Sequence, residues 1–126
     1  MKLTKLSLLL LVLISINGCD KNIELGNFDV EIWKNDHDGC KGERKAQLEN
    51  LNAIKKQFEG MRETRLHGFL GKPNRQELKE RNCKSYYYYI DKTGQCIGEE
   101  KTAKTPFLIV EMDALNRVML MRFALE

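Results

Sequence analysis

The sequence lacks the short motifs that identify common enzyme families. It contains no G-x-S-x-G, no H-E-x-x-H and no glycine-rich phosphate-binding loop. Its two histidines, His37 and His67, have no acid, cysteine or serine partner at a recognisable catalytic spacing. His67 is predicted to be an exposed residue on a helix. We therefore expect a protein that is not an enzyme and that uses no cofactor.

Patterns for binding metal ions or nucleic acids are also missing. No two cysteines stand at the C-x2-C spacing of a zinc site. The segment 36–39, Asp-His-Asp-Gly, lacks the distal glutamate of a calcium loop and the second histidine of a zinc site, so it is predicted to be a solvated turn. No basic stripe with interleaved aromatic residues is present, which argues against a nucleic-acid partner.

No apolar run is long enough to cross a membrane as a helix. Such a helix needs about 20 residues, and the run over 6–14 is about half that length. Lys2 and Lys5 precede or open this run and small residues follow it at 15–18, which is the layout of a secretory signal peptide. Residues 1–18 are therefore predicted to be removed. Because Lys2 and Lys5 are their only charges, the formal net charge falls from +3 to +1.

The residues around Cys19 resemble the lipobox of bacterial lipoproteins. Ile16 stands three places before the cysteine and Gly18 directly before it, while Asn17 is an unusual residue for that motif. The resemblance implies that Cys19 becomes the acylated N-terminus and that its acyl chains hold the protein at a membrane. An ordinary cleaved signal peptide with a chance cysteine is the alternative.

Three cysteines, Cys40, Cys83 and Cys96, follow Cys19 in the chain. An exported protein meets an oxidising compartment, so one disulfide and one free thiol are expected. Loop entropy does not select the pair, because closing 40 to 96 is worth about 4 kcal/mol and closing 83 to 96 about 3 kcal/mol. A hairpin turning at 91–94 would place Cys96 far along the strands from Cys83. Cys40 with Cys96 is therefore the favoured pair.

The mature chain is predicted to contain a lipid-anchored tether and arm at 19–41 and one α+β domain at 42–126. Phe28, Ile32 and Trp33 of the arm are able to dock on that domain. Helical spacing of apolar residues and aromatic or β-branched content give two helices and three strands: helices over 42–59 and 61–70, and strands over 85–90, 107–112 and 117–124. The strands form an antiparallel meander with both helices on one face.

The first predicted strand contains four consecutive tyrosines, Tyr86, Tyr87, Tyr88 and Tyr89. Alternate side chains of a strand face opposite ways, so Tyr86 and Tyr88 share one face and Tyr87 and Tyr89 the other. One pair must pack beneath the helices. The other pair either presents an aromatic protein-binding surface, or is covered by the arm with Trp33, or is satisfied within the domain.

A resemblance to one known family lies in residues 60–73 and in the sheet that follows them. The glycine and methionine at 60–61 and the L-G-x-P at 70–73 are similar to the start and end of the second helix in the family that includes BamE, also called SmpA/OmlA. The last hairpin has Asp113 as that family does, and Asn116 where the family has a glycine. The cysteines, the long first helix and the arm depart from the family pattern.

The resemblance implies a small outer-membrane lipoprotein that supports protein assembly as a partner in the β-barrel assembly machine. It also implies an αα-βββ fold, which is similar to one half of the β-lactamase inhibitor protein. Because fold alone does not fix function, an inhibitor- or sensor-like lipoprotein that binds an envelope enzyme is the second expectation. Asp20, directly after Cys19, favours the inner membrane under the enterobacterial sorting rule, whereas the family favours the outer membrane.

Overall fold

The computed structural model describes residues 21–101 and 104–126. The predicted signal peptide, Cys19 and Asp20 lie outside the described residues. The described chain is an α+β structure with a four-stranded antiparallel sheet in the order β1-β2-β3-β4. Its elements are α1 Val30–Asn35, α2 Glu43–Ala46, α3 Leu48–Ile54, α4 Glu63–Leu70, β1 Arg75–Leu78, β2 Lys84–Tyr89, β3 Pro106–Met112 and β4 Val118–Leu125, with short 3-10 helices at Lys55–Phe58 and Glu80–Asn82.

The structure differs in three places from the predicted two helices and three strands: the first helix is divided, a strand is added, and the helix α1 precedes both predicted helices. The long first helix is interrupted at Gln47, which ends α2 and begins α3 and whose side-chain oxygen accepts a hydrogen bond from the backbone N–H of Asp29 at 3.1 Å. The additional strand is β1, which pairs with β2 from the polar segment over 72–83, where the sequence predicts a loop or a helical turn. Its sequence, Arg-Gln-Glu-Leu, has little β propensity, so the pairing with a neighbour is what makes it a strand.

The hairpin between β3 and β4 turns where the sequence predicts it. Asp113 accepts hydrogen bonds at Oδ1 from the backbone N–H groups of Leu115 and Arg117, both at 2.9 Å. Asn116 has a φ of +59°, the left-handed conformation that asparagine tolerates better than most residues. A register shift between Glu111 and Met112 then precedes the regular pairing of the two strands.

The segment predicted to be a separate arm is, in its described part, a component of the core. Trp33 on α1 is 0% exposed, and its indole N–H donates to the carbonyl oxygen of Leu70 at 3.2 Å. Phe28 packs against it with the ring centroids 5.8 Å apart. Phe28 and Trp33 therefore dock on the domain, as the sequence allowed. The helix α1 itself was not predicted, because a helix of six residues is too short to show a helical period in the sequence.

The chain before α1 is also fixed along the helical layer. Gln57 makes two bonds with Glu24: its side-chain oxygen accepts from the Glu24 N–H at 2.9 Å, and its side-chain amide donates to the Glu24 carbonyl at 3.1 Å. One main core then lies between the helices and one face of the sheet. Its fully buried members come from both layers and include Leu51, Phe58, Leu66, Leu70, Tyr88, Leu108, Val110 and Met112. No helix in the described ranges is long and apolar enough to cross a membrane.

A disulfide joins Cys40 to Cys96, the pair that the sequence favours, with the Cα atoms 5.6 Å apart. It ties the loop after α1 to the connection between β2 and β3, and Cys83 is left as a half-buried free thiol. Gly39, beside the bridge, has a φ of +70°, and a Cβ there would lie 3.1 Å from the carbonyl carbon of Ile90. Only glycine therefore allows the loop to approach the end of β2 so closely.

We expect the double substitution Cys40→Ser and Cys96→Ser to lower the free energy of unfolding by about 4 kcal/mol, because the bridge removes the freedom of a long loop from the unfolded chain. Urea unfolding of the two proteins measures the difference. The matched control is Cys83→Ser, which removes a thiol without opening a loop and should change stability by less than about 1 kcal/mol. Equal effects of the two changes would contradict the assigned role of the bridge.

Candidate functional site

The four tyrosines of β2 alternate between the two faces of the sheet, as predicted. Tyr86 and Tyr88 lie beneath the helices and are 1% and 0% exposed. Tyr87 and Tyr89 lie on the opposite face, where they pack against Phe107 with centroid distances of 5.3 and 5.1 Å. Tyr87 is only 1% exposed even there, and Tyr89 is half-buried.

Charged side chains from the sheet's own strands cover this second face. The guanidinium of Arg75 lies 3.9 Å from the centre of the Tyr87 ring, a cation–π contact, and forms ion pairs with Glu77 at 3.4 Å and Glu126 at 3.1 Å. The Tyr87 hydroxyl donates to Glu77 at 2.9 Å. Trp33 belongs to the core on the other side of the sheet, so the arm does not cover this face. The tyrosines therefore offer a partner little accessible aromatic area.

The turn at 36–39, predicted to be solvated, is buried at its first residue. Asp36 is 2% exposed, and its carboxylate accepts the backbone N–H of Lys41 at 2.9 Å and of Arg44 at 3.0 Å. His37 and Asp38 are exposed as expected. Within 21–101 and 104–126, no group of three or more histidine, cysteine or acidic residues is placed to hold a metal ion. Asp36 therefore organises the entry into α2.

Arg44, on α2, is a fully buried arginine at the centre of the helical layer. Its Nε donates to the carbonyl of Trp33 at 3.1 Å, and one terminal nitrogen donates to the Asn74 side chain and to the carbonyl of Tyr89, both at 3.1 Å. The guanidinium also lies 4.8 Å from the centre of the Trp33 ring. Burial lowers its pKa to about 10, so the group stays charged at neutral pH. Three separate segments of chain thus meet on one side chain.

We expect Arg44→Lys to lower the free energy of unfolding by about 3 kcal/mol or more, although the charge is kept. A lysine ammonium cannot reproduce the planar fork of donors, and it would leave buried acceptors unsatisfied. Thermal or urea unfolding measures the loss. Arg62→Lys is the matched control on an exposed arginine and should stay within about 0.5 kcal/mol. A similarly small effect of Arg44→Lys would show that the hydrogen bonds of the buried guanidinium contribute little to stability.

A second polar cluster joins α4 to β2. The Tyr86 hydroxyl donates to Oε1 of Glu63, and the Lys84 ammonium lies 3.4 Å from both carboxylate oxygens. One turn along α4, His67 is half-buried against Tyr86 with the ring centroids 5.6 Å apart, rather than exposed as predicted. Its Nε2 is buried and has no hydrogen-bond partner among the described residues.

The environment of this cluster shifts two pKa values downward. The hydrogen bond from Tyr86 is the main cause that lowers the pKa of Glu63 below its ordinary 4.5, and the Lys84 charge adds to it. Burial is the main cause that lowers the pKa of His67 below 6.5, opposed in part by the negative charge of Glu63. Both groups therefore bind protons less readily in the folded chain than in the unfolded chain.

We expect the free energy of unfolding to fall as the pH is lowered from 7 to 3. The contribution of His67 is fully present above pH 6.5 and is lost as the pH falls through its lowered pKa, and that of Glu63 is lost below pH 4.5 in the same way. His67→Gln should flatten the upper part of the profile and Glu63→Gln the lower part. Urea unfolding across the pH range measures both, with the exposed Glu59→Gln as control. Unchanged profiles in both variants would contradict the assignment.

An apolar cleft of about 430 Å³ opens between the α2–α3 region and the C-terminal half of β4. Leu48 lines it from the helical side, and Phe123 and Leu125 line it from β4. Lys45 and Asp91, which form an ion pair at 2.5 Å, lie at its polar end. Its volume lies within the range of pockets that take a small ligand or a partner's side chain. Nothing in the local sequence predicts the cleft, because its walls come from four separate segments, at 45–48, 90–91, 106–107 and 123–125.

Strand β4 also has large apolar side chains in contact with solvent. Met119 is 53% exposed, Leu120 41% and Leu125 62%. The alternation of the sequence was the available signal, since three apolar residues in a row at 119–121 cannot all face the core of a sheet with one covered face. Together with the cleft, these side chains make β4 the most apolar exposed strand of the sheet.

Comparisons of the chain with protein-family models, with curated proteins and with solved structures found no match. The likeness to the BamE family therefore remains an expectation based on residues 60–73 and the sheet after them. The tyrosine strand lies within the fold, and the exposed apolar strand β4 is the surface that the sequence did not single out.

Proposed function

We propose that this chain is an envelope lipoprotein, anchored in the outer membrane through an acylated Cys19, that acts as a non-catalytic protein-binding module. In this role it supports outer-membrane protein assembly or envelope organisation as a distant member of the BamE family, with the β-barrel assembly machine as its partner. The observation that carries export is the Cys40–Cys96 disulfide, since such bonds persist in oxidising compartments. The lipobox-like residues before Cys19 support the anchor.

The binding part of the proposal is supported by β4 and the cleft beside it. Exposed apolar surface on a small domain is typical of interaction sites, and the cleft, with the 62% exposed Leu125 in its β4 wall, provides such surface. Met119 and Leu120 add exposed apolar area elsewhere on the strand, and Leu120 lies on the opposite face of the sheet from Leu125. The four tyrosines support it less than the sequence suggested, because their rings are covered within the domain.

One observation favours the second candidate, an inhibitor- or sensor-like lipoprotein. Ile97 is 104% exposed and directly follows Cys96, whose disulfide fixes that loop. A rigid loop with an exposed apolar residue enters an enzyme cleft at a low cost in conformational entropy. Such a protein would bind one soluble envelope enzyme in a stoichiometric complex.

Brief cross-linking in the native host, detergent extraction of the tagged full chain and mass spectrometry test the proposal. We expect acyl groups on the peptide that begins at Cys19, and we expect components of the barrel assembly machine among the cross-linked proteins. Cys19→Ser should lose the acyl mass and the recovered partner, whereas Cys83→Ser should keep both.

Two results would change the conclusion. An unacylated protein cleaved after an ordinary signal peptide would exclude the lipid anchor. One stoichiometric soluble enzyme in place of the assembly components would identify the inhibitor- or sensor-like alternative, and loss of that enzyme in Ile97→Asp would place the contact on the disulfide-fixed loop.

A further inference from the structure

Among the described residues, the outer edge of β4 has no partner strand over most of its length. In the part of the chain that the structure describes, β4 pairs with β3 and with no other strand. At its start, the carbonyl of Val118 accepts the Gly60 N–H at 2.7 Å and the Val118 N–H donates to the Met61 carbonyl at 2.9 Å. The first residue of β4 therefore already pairs through its backbone with another segment of the chain on this side. Beyond Val118, no described residue continues that pairing.

The last hydrogen bonds between β3 and β4 show which N–H and C=O groups of β4 point away from β3. Thr105 and Glu126 exchange two backbone hydrogen bonds, at 2.6 and 3.0 Å. In an antiparallel pair, such positions alternate with positions whose N–H and C=O groups point away from the neighbour. Leu125 and Phe123 therefore direct these groups toward the open side. Pro106 lies opposite Leu125 and has no N–H group, which fits a pair that makes no backbone hydrogen bonds between β3 and β4.

The cleft includes the same stretch of β4 and extends from it toward the end of β2 and the start of β3. Phe123 and Leu125, which direct their backbone groups outward, also line the cleft with their side chains. The Lys55 ammonium lies 5.5 Å from the centre of the Phe123 ring. Lys45 is paired with Asp91, whereas Lys55 places a positive charge beside Phe123 at this end of β4. A backbone edge without a partner strand, an apolar cleft and the ammonium group of Lys55 thus lie close together.

We propose that β4 accepts an extended peptide segment of a partner protein as a fifth strand, with an apolar side chain in the cleft and an acidic side chain two residues away at Lys55. This rests on the proposed function and names the chemistry of the partner. Backbone hydrogen bonds at Phe123 and Leu125 provide the affinity, and the cleft and Lys55 provide the sequence preference. Side chains two residues apart on a strand share a face, which sets that spacing.

Two other occupants fit the edge less well. A second copy paired edge to edge about a two-fold axis near Phe123 would bring two Lys55 side chains together, which is unfavourable because the charges are alike. A small amphiphile would fill the cleft but leave the outward backbone groups of Phe123 and Leu125 without partners. A peptide strand satisfies the backbone groups and the cleft together.

The test uses the full chain in lipid nanodiscs and two labelled probe peptides, TETLTET and TKTLTKT. Both peptides have leucine at the centre, and the residues two positions away on either side are acidic in the first peptide and basic in the second. We expect the acidic probe to bind at least about tenfold more tightly by fluorescence anisotropy and to shift the NMR amide signals of Phe123 and Leu125. Lys55→Glu should reverse the preference between the probes.

Leu125→Pro removes an N–H group that points away from β3, and it removes no hydrogen bond between β3 and β4. This change should lower the affinity for the acidic probe by about tenfold or more. The matched control is Leu78→Pro, the same change on the opposite edge strand at a residue that is 81% exposed. If Leu125→Pro fails to fold, Lys55→Glu on the helical side still tests the site.

Four results overturn the inference: equal binding of the two probes, no reversal in Lys55→Glu, amide shifts confined to other strands, and a wild-type dimer that Leu125→Pro dissociates. The dimer would identify a second copy as the occupant. If the cross-linked envelope partner is recovered equally with wild type and Leu125→Pro, the binding function stands and this surface does not carry it. The same two probes are also measured with the unanchored Cys19→Ser chain in solution, and probe binding equal to that in nanodiscs separates a failure of the anchor from a failure of this site.

Discussion

The buried guanidinium of Arg44 is the interaction on which the arrangement of the other elements depends. A charge with no exposure to solvent must be surrounded by acceptors, and here they come from the end of α1, from the loop before β1 and from the last residue of β2. Asn74 receives one of its hydrogen bonds and also accepts the backbone N–H of Tyr89. If these segments separated, the buried guanidinium would lose its hydrogen-bond acceptors, which is unfavourable. The helical layer and the sheet are therefore held in one relative position.

The sequence predicted the α+β class, the helix ending at Gly71, the three long strands, the alternation of the tyrosines and the cysteine pair. All of these except the cysteine pair depend on short-range patterns: a period of 3.6 or 2, a glycine that ends a helix, and the length of a hairpin. The left-handed conformation at Asn116 belongs to the same class. Such features are fixed by neighbours along the chain, and a single sequence contains enough information to find them. The cysteine pair joins residues 56 positions apart, and it was predicted because only three cysteines follow Cys19 and the hairpin at 91–94 separates Cys96 from Cys83.

The features that the sequence did not predict are all determined by contacts between distant residues. Strand β1 is polar and becomes a strand because β2 lies beside it. α1 is too short to show a period, and the burial of Trp33 depends on Leu70, 37 residues away. The covering of Tyr87 requires Arg75 and Glu126, which meet only when both sheet edges are in place. The cleft beside β4 likewise exists only where the helical residues Lys45 and Leu48 meet the ends of three strands that are distant from them in the chain.

The two hydrogen bonds between Glu24 and Gln57 limit how far the domain could stand from the proposed lipid anchor at Cys19. Glu24 is held on the helical layer, so only the five residue steps back to Cys19 remain for the link. A fully extended chain covers about 3.5 Å per residue, so the segment between Cys19 and Glu24 can span at most about 18 Å. With Cys19 acylated as proposed, the domain would remain at the bilayer surface and could not sample the width of the compartment. Its partners would then be proteins embedded in that membrane or brought to it.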